Sequence, residues 1–406
     1  MINNKTVLVS GASIAGPALA FWLSKFGFKV TIVERAPTQR LGGQNIDISG
    51  AARKIVQKMG IEQKIIAAST GELGVNFVDE NNIIQATLEN TGNSSNYGTI
   101  EILRGELAEI LYNETRQNVT YIFGNYITDL QEQAEDVKVS FKNGEEKLFD
   151  IVIAADGIRS GTRTIMFGDL DIIKPLGLCI AYFTIPKGKT DTKWARWYNA
   201  PNKRAIFIRP DNVGTTRVSF SFITPPIGYE KKSIQEKKEI LRNKFYDAGW
   251  EVDRILDGLN NATEVDMDSV SQVKSPIWHK GRLAMTGDAA YCPSPLSGMG
   301  ATLSIIGTYV LAGELAINEN HTNAFIAYEK LMKPYVEIVQ NLPPLVPAGA
   351  HPKGKAGLFL MHTVLRIISS KFVKVLSKLF NSGDKSDFAD KIKLPDYDLL
   401  VSNLIQ

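Results

Sequence analysis

The sequence predicts an α/β protein: a Rossmann-like nucleotide-binding domain, an antiparallel-sheet domain inserted into it, and a C-terminal helical tail. Three observations carry that expectation. A strand, a glycine-rich loop, a helix and a second strand follow one another at the start of the chain. Two later short apolar strands, each ended by an aspartate beside a glycine, look like further strands of the same sheet. Between them lies a run of alternating strands. The boundaries that follow are 1–170 and 271–335 for the two parts of the nucleotide-binding domain, 171–270 for the inserted sheet and 336–406 for the tail.

Taken in order, Thr6–Ser10 is a short apolar run bounded by Gly11, as in a buried parallel strand. Ala15–Phe26 has helical apolar spacing, with Pro17 in the first turn and Gly27 as a C-terminal cap. Lys29–Glu34 is a second, β-branched strand. Ala51–Met59 and Arg104–Gln117 look helical, with the segments Glu72–Asp79 and Ile83–Leu88 and a loop over 89–98 between them. Val119–Phe123, Val137–Phe141 and Glu146–Leu148 are expected as hairpin strands, with Asn143-Gly144 as a turn. Asp150–Ala155 returns to a continuous apolar strand. Gly177–Ile185, Trp194–Tyr198, Arg204–Arg209 and Thr215–Thr224 alternate, as in an antiparallel sheet with one covered face. Ser233–Asp247 is helical, Arg282–Thr286 is again a strand, and Thr302–Ile317 is an apolar helix. The rest of the chain reads mostly as helix, a lid or a brace for both domains.

Composition narrows the function classes. Of 406 residues, 44% are hydrophobic and 22% charged, as in an ordinary globular protein. The net charge is +3, so no basic surplus argues for nucleic acid. Two cysteines, Cys179 and Cys292, make no disulfide framework or zinc pattern, and the four histidines are scattered. Without a signal-peptide pattern, the expectation is a cytoplasmic protein, a monomer or weak homo-oligomer, with no metal. No apolar run is expected to reach the ~18–20 residues of a membrane span. The amphipathic stretch Gly357–Phe380 is expected to pack on the protein body, with a membrane-surface role as the alternative.

The chemistry starts at Gly11-Ala12-Ser13-Ile14-Ala15-Gly16, between a strand and a helix. Glycine allows the tight turn, and the small Ser13 lets a pyrophosphate approach backbone N–H groups. The phosphates then sit at a helix N-terminus, where unpaired donors favour anions. Glu34 closes the second strand, where a carboxylate accepts both ribose hydroxyls of an adenosine. Such a site suits NAD or FAD. The motifs Asp156-Gly157 and Gly287-Asp288 add aspartates at the carboxyl ends of two further strands, which favours the longer cofactor. Asp288 would accept from a ribityl hydroxyl of a flavin. The run Pro293–Gly300 precedes a helix, and its N–H groups would face the edge of a reduced flavin that carries negative charge.

These motifs, together with Arg104, resemble the group A flavoprotein monooxygenases, the para-hydroxybenzoate hydroxylase-like family, over roughly residues 5–335. Four stretches are similar in particular to the tetracycline destructases: Gly42–Gly50, Glu101–Leu107, Ala181–Pro186 and Gly287–Gly298. The resemblance implies FAD as the bound cofactor, NADPH or NADH as a transient reductant, O2 as co-substrate and a small aromatic substrate. It places cofactor contacts at Gly11, Ser13, Ala15, Gly16, Glu34, Arg35, Gln44, Arg104, Asp156, Asp288, Pro295, Gly298, Gly300 and Ala301. Asp47 falls where flavin and substrate meet. A flavin C4a-hydroperoxide carries the chemistry in that family, so no catalytic triad is expected. The chain departs from the pattern at Met299 and at Ala301-Thr302, which replace a common Gln and Asn. Arg217 and Phe222, on the inserted sheet, are further substrate candidates. Two readings compete with the monooxygenase: a flavin dehydrogenase or reductase on the same fold, and a ligand-sequestering protein without turnover. For Arg104, simple pairing with the flanking Glu101 and Glu106 is the structural alternative.

Overall fold

The computed structural model describes residues 5–40, 42–89, 98–343, 346–369, 394–399 and 402. Most of the expected 89–98 loop, and the expected helix beyond residue 369, lie outside these residues. The opening strand–helix–strand unit forms as Thr6–Ser10, Ala15–Lys25 and Lys29–Glu34. It builds a six-stranded sheet in the order His279–Lys280, Leu283–Met285, Ile151–Ala154, Thr6–Ser10, Lys29–Glu34, Thr120–Phe123. All neighbours pair in parallel except the outermost, His279–Lys280. A parallel sheet is covered on both faces, so its strands are apolar throughout. Val7, Leu8, Val9, Val152 and Ile153 are accordingly fully buried.

Thr120–Phe123 corrects an expectation. It is an edge strand of this parallel sheet and not part of a hairpin. The hairpin partner of Val137–Phe141 on that side is Ile127–Glu132, whose polar, exposed sequence hid it. Val137–Phe141 does pair with Glu146–Phe149 across the Asn143-Gly144 turn.

The second sheet has seven strands: Asp266–Val273, Ile173–Pro186, Thr215–Ile223, Arg204–Pro210, Trp194–Ala200, Gly74–Val78 and Ile84–Glu89. It is therefore not built from the inserted segment alone, since its last two strands come from residues 74–89. Helices Ile234–Phe245 and Val252–Asn261 cover one face. The first is started by a capping box, in which Ser233 and Glu236 satisfy each other's backbone N–H. Neither the second helix nor the strand Asp266–Val273 was expected, although the helix is amphipathic, with Val252, Ile255, Leu256 and Leu259 buried, while the strand is polar. Period-two alternation sends Val218, Phe220 and Phe222 into this helix-covered core. Arg217, Ser219 and Ser221 therefore point to the other face, beside Thr184, Tyr182 and Ile180 of the neighbouring strand.

The helix Gly300–Ile317 joins the two regions. It is long and apolar enough to cross a membrane, contrary to expectation, but it is buried inside the protein. A helix that is apolar all round suits such a core position. The tail is fastened at two places. Near residue 350, His351 meets Ser221 at 2.8 Å and Asn199 donates to the carbonyl of Ala350 at 2.7 Å, so this segment lies on the second sheet. The helix Lys355–Ser369 continues along the edge strand Ile84–Glu89. Farther on, Tyr397 is fully buried against Gly313, where no side chain would fit, and its hydroxyl donates to Glu314 at 2.6 Å. Asp396 and Asp398 pair there with Lys58 and Lys25.

Candidate active site

The glycine-rich loop folds as its sequence requires. Gly11 has φ +109°, and a Cβ on it would stand 2.6 Å from the carbonyl oxygen of Ala155 and 2.9 Å from Cα of Asp156. Only glycine takes that conformation and that approach without strain. Ala12 N–H donates to Glu34 Oε2 and Ala36 N–H to Glu34 Oε1, both at 2.9 Å. Glu34 thus ties the loop to the end of the second strand while each oxygen keeps a lone pair for a further donor. A ribose diol is such a donor. Glu34→Ala is expected to weaken FAD binding by about 1–3 kcal/mol, because a charged acceptor is lost. Titrating apoprotein with FAD by fluorescence quenching checks this, and unchanged affinity would show that Glu34 serves the loop alone.

Arg104 opens the helix Arg104–Thr115. Its guanidinium donates to Ser13 Oγ at 2.9 Å and to the carbonyl of Gly42, and its backbone N–H donates to Gln44 O at 2.9 Å. The flanking acids are engaged elsewhere: Glu101 with Arg209, and Glu106 with Asn212. Among the described residues, no carboxylate pairs with Arg104 within 4.0 Å, so the structural alternative for this arginine falls away. Burial holds its pKa below the usual guanidinium range, and nearby Arg40 adds to that. A buried, unpaired cation beside a phosphate-type loop is matched to an anion.

Gly287, at φ +61°, brings the end of strand Leu283–Met285 against the first helix. A Cβ there would lie 2.9 Å from Cβ of Ala15. Asp288 follows it at the head of the short helix Asp288–Tyr291. Burial raises its pKa, and the Cys292 thiol is its one hydrogen-bond partner among the described residues. The loop Pro295–Gly298 then leads into Gly300–Ile317, with Ala301 buried in the first turn. Open space lies beside both Gly298 and Gly300. No side chain caps this helix or Ala15–Lys25, so both leave leading N–H groups for a ligand.

Several expected contacts already have partners of their own within the protein. Asp156 is used within its own turn: Oδ1 accepts from the Ser160 hydroxyl, and Oδ2 from the Thr162 N–H at 3.1 Å and hydroxyl at 3.0 Å. It braces the start of helix Gly161–Phe167, while Arg159 pairs with Asp268. Arg35 is exposed and stacks over Tyr126 at 5.0 Å. Phe222 is 2% exposed, on the helix-covered face against Phe245 and Tyr229, so it is core and lines no cleft. Arg217 does face the cleft, where it donates to Asp211 at 3.1 Å and to Thr184 at 3.0 Å and reaches toward Gly43 O at 3.4 Å.

Asp47 lies on the strand Asn45–Ile48, directly opposite Glu101 of Ile100–Leu103. Thr302 fixes this strand to the long helix: its hydroxyl donates to Asp47 O at 3.1 Å and accepts from Ser49 N–H at 3.3 Å. The departure at position 302 is thus a brace between the two walls of the site. Around Asp47 is a group the sequence reading missed. Arg209 Nε donates to Glu72 at 2.9 Å, and its Nη2 to Glu101. Glu101 also accepts from Asn45 at 2.6 Å and from Thr70 at 2.5 Å. The available signal was a carboxylate inside the otherwise apolar strand Ile-Glu-Ile-Leu, since unpaired acids are almost never buried.

The uncapped helix ends, the open glycines, the unpaired Arg104 and the unpaired Asp288 fit a long dinucleotide whose phosphates, sugar and flavin lie along one line of contacts. The comparisons agree. Residues 4–337 match the FAD binding domain family. A flavin-dependent monooxygenase of Legionella longbeachae is 37% identical over 346 residues, covering 84% of this chain and 88% of that one. The flavin-dependent monooxygenase eupH of a Phoma species is 33% identical over 425 residues, covering 96% and 97%. The crystal structure of tetracycline destructase Tet(51) superposes with a TM-score of 0.79 at 32% identity, covering 97% of this chain and 100% of that one. The chain belongs to the FAD binding domain family, among its FAD-dependent monooxygenases.

Proposed function

We propose that this enzyme hydroxylates a polycyclic molecule carrying a phenol or enol, with a tetracycline as the leading candidate substrate and NADPH or NADH as the reductant. One observation carries the reading: likeness to Tet(51) extends over nearly the whole chain, tail included. The cleft face of the second sheet supports it. Rows of Tyr182, Ser219, Phe207 and Trp197, and of Thr184, Arg217 and Arg209, give a broad surface that is aromatic on one line and hydrogen-bonding on the next. A flat, oxygen-rich ring system suits both rows.

Bound FAD supplies electron uptake from the nicotinamide and insertion of one oxygen atom from O2. The chain's residues do the rest. Glu34, Arg104 and the glycine-rich loop hold the adenosine and pyrophosphate end, and Asp288 holds a hydroxyl of the linking chain. Gly298 and Gly300 leave room for the ring system, and Thr302 keeps the wall that carries Asp47 against that space. The second sheet and the tail segment near His351 cover the cleft and keep water out, which strengthens every polar contact within it. Incubating the purified protein with NADPH, O2 and a tetracycline is expected to add one oxygen, seen by mass spectrometry, only when all three are present. Product formed under strict anaerobiosis would instead identify a dehydrogenase. No mass gain, with a flavin spectrum present, would remove tetracyclines and turn the search to other aromatic polyketides.

A further inference from the structure

We propose that Asp47, one of three acids gathered around Arg209, takes up the proton of the bound substrate's hydroxyl and later returns it, as the acid–base group of the reaction. This rests on the phenol or enol reading of the substrate. Geometry carries it first. Asp47 and Glu101 are cross-strand partners, the arrangement in which like charges repel. Glu72 joins them through the guanidinium both glutamates share. Three carboxylates thus face one cation, and the side chains of Glu72 and Glu101 are 4% and 5% exposed. Three acids around one cation leave an excess of negative charge, which favours proton uptake at the acid without a hydrogen-bond donor of its own.

An independent observation points to a missing donor. Asn45 is 8% exposed and gives its Nδ2 to Glu101, yet its Oδ1 has no hydrogen-bond partner. A buried acceptor without a donor is costly. A protonated carboxyl or an entering hydroxyl supplies that donor. Of the three acids, Asp47 has its carboxylate free of side-chain and backbone donors among the described residues. Burial is the main reason its pKa is raised to about 6, with Glu101 adding to the rise and Arg209 opposing it. Glu72 is raised to about 7, again chiefly by burial. The other ionisable groups around Arg209 are Tyr182, pushed up to about 12 by burial, and Asp266 beside it. Arg217 is held apart by its own partner, Asp211.

The step is a proton transfer. The substrate O–H bond breaks and its electron pair stays on oxygen, while an O–H bond forms on Asp47. The resulting phenolate or enolate has an electron-rich carbon ready for oxygen insertion. When the oxygenated product settles back to its hydroxyl form, the proton returns. A group that titrates near working pH is suited to both directions.

The test uses the full-length flavin-loaded enzyme, its Asp47→Asn variant, and tetracycline as the probe. Infrared spectra from pH 5 to 8.5 are expected to show a protonated-carboxyl band in the wild type that titrates near pH 6–7. The variant loses or shifts that band. At neutral pH its oxygenation rate falls by roughly 100-fold, the scale of a positioned acid–base group. The deficit shrinks as pH rises through the substrate's own hydroxyl pKa, a recovery that a packing defect does not produce. No carboxyl band, or a variant with the wild-type rate and pH profile, overturns the proposal. If the wild type does not oxygenate tetracycline, the substrate reading fails by itself, and the infrared band then decides whether Asp47 titrates as proposed.

Discussion

Replacing Asp288 with alanine is expected to give a protein that folds and purifies but carries little or no flavin, with its ratio of visible to ultraviolet absorbance near zero. Asp288 sits at the end of a strand of the parallel sheet with the Cys292 thiol as its one partner, and burial raises its pKa. A half-buried carboxylate without a cation or backbone donor contributes little to the stability of the empty protein. It is placed there for a donor that the cofactor brings. Losing a charged acceptor in such a contact costs about 1.5–3 kcal/mol of affinity, roughly a 10- to 150-fold rise in Kd. Two measurements therefore separate. Flavin affinity falls, while the melting temperature of the apoprotein stays level, because the half-buried carboxylate has no cation or backbone donor to lose. A variant that stays yellow would show that the carboxylate does not meet FAD. A variant that loses flavin and also melts early would make Asp288 a structural residue.

The second large effect is expected from Arg209→Met. Removing one partner from a buried ionic group typically costs about 3–5 kcal/mol, because the remaining charge is left uncompensated. Here Glu72 and Glu101 both lose their cation, and Asp47 loses the opposing field. The loss depends on pH, and its sign follows from linkage. Asp47 and Glu72 have raised pKa values in the folded protein, so the folded state binds protons more tightly than the unfolded chain. Their contribution is greatest below the ordinary carboxylate range and is lost as pH rises through about 6–7. Without Arg209 the folded values rise further. Melting curves should therefore show a large drop for the variant at pH 8 and a small one at pH 5. An equal drop at both would mean that Arg209 acts through its stacking over Phe207 and not through the acids.

What could be read from the sequence divides along physical lines. The strands Thr6–Ser10 and Lys29–Glu34 were legible to the residue, because a parallel strand covered on both faces is an unbroken apolar run between turn signals. Ile127–Glu132 and Asp266–Val273 were not, because their strand character comes from neighbours and not from their own side chains. Glu34 and Asp288 could be singled out because each follows an apolar strand at a turn, and Arg104 through the family resemblance. The pairing of Arg217 with Phe222 as substrate candidates went wrong on parity alone. The two are an odd number of residues apart on one strand, so they must face opposite sides of the sheet. The acid cluster was illegible for another reason: Asp47, Glu72, Glu101 and Arg209 come from four separate segments, and only the folded chain brings them together.

The two fastenings of the tail have a consequence of their own. The chain is fastened to the second sheet near His351 and to the first domain at Tyr397, so the chain between these two contacts begins and ends on the folded body. Closing such a loop has an entropic cost that grows only slowly with its length. On that ground a change in chain length between the two contacts costs less than a change at either contact. Relatives are expected to differ in length between these two points more than at them, and Tyr397→Ala to lower the melting temperature by opening the contact with Gly313 and Glu314.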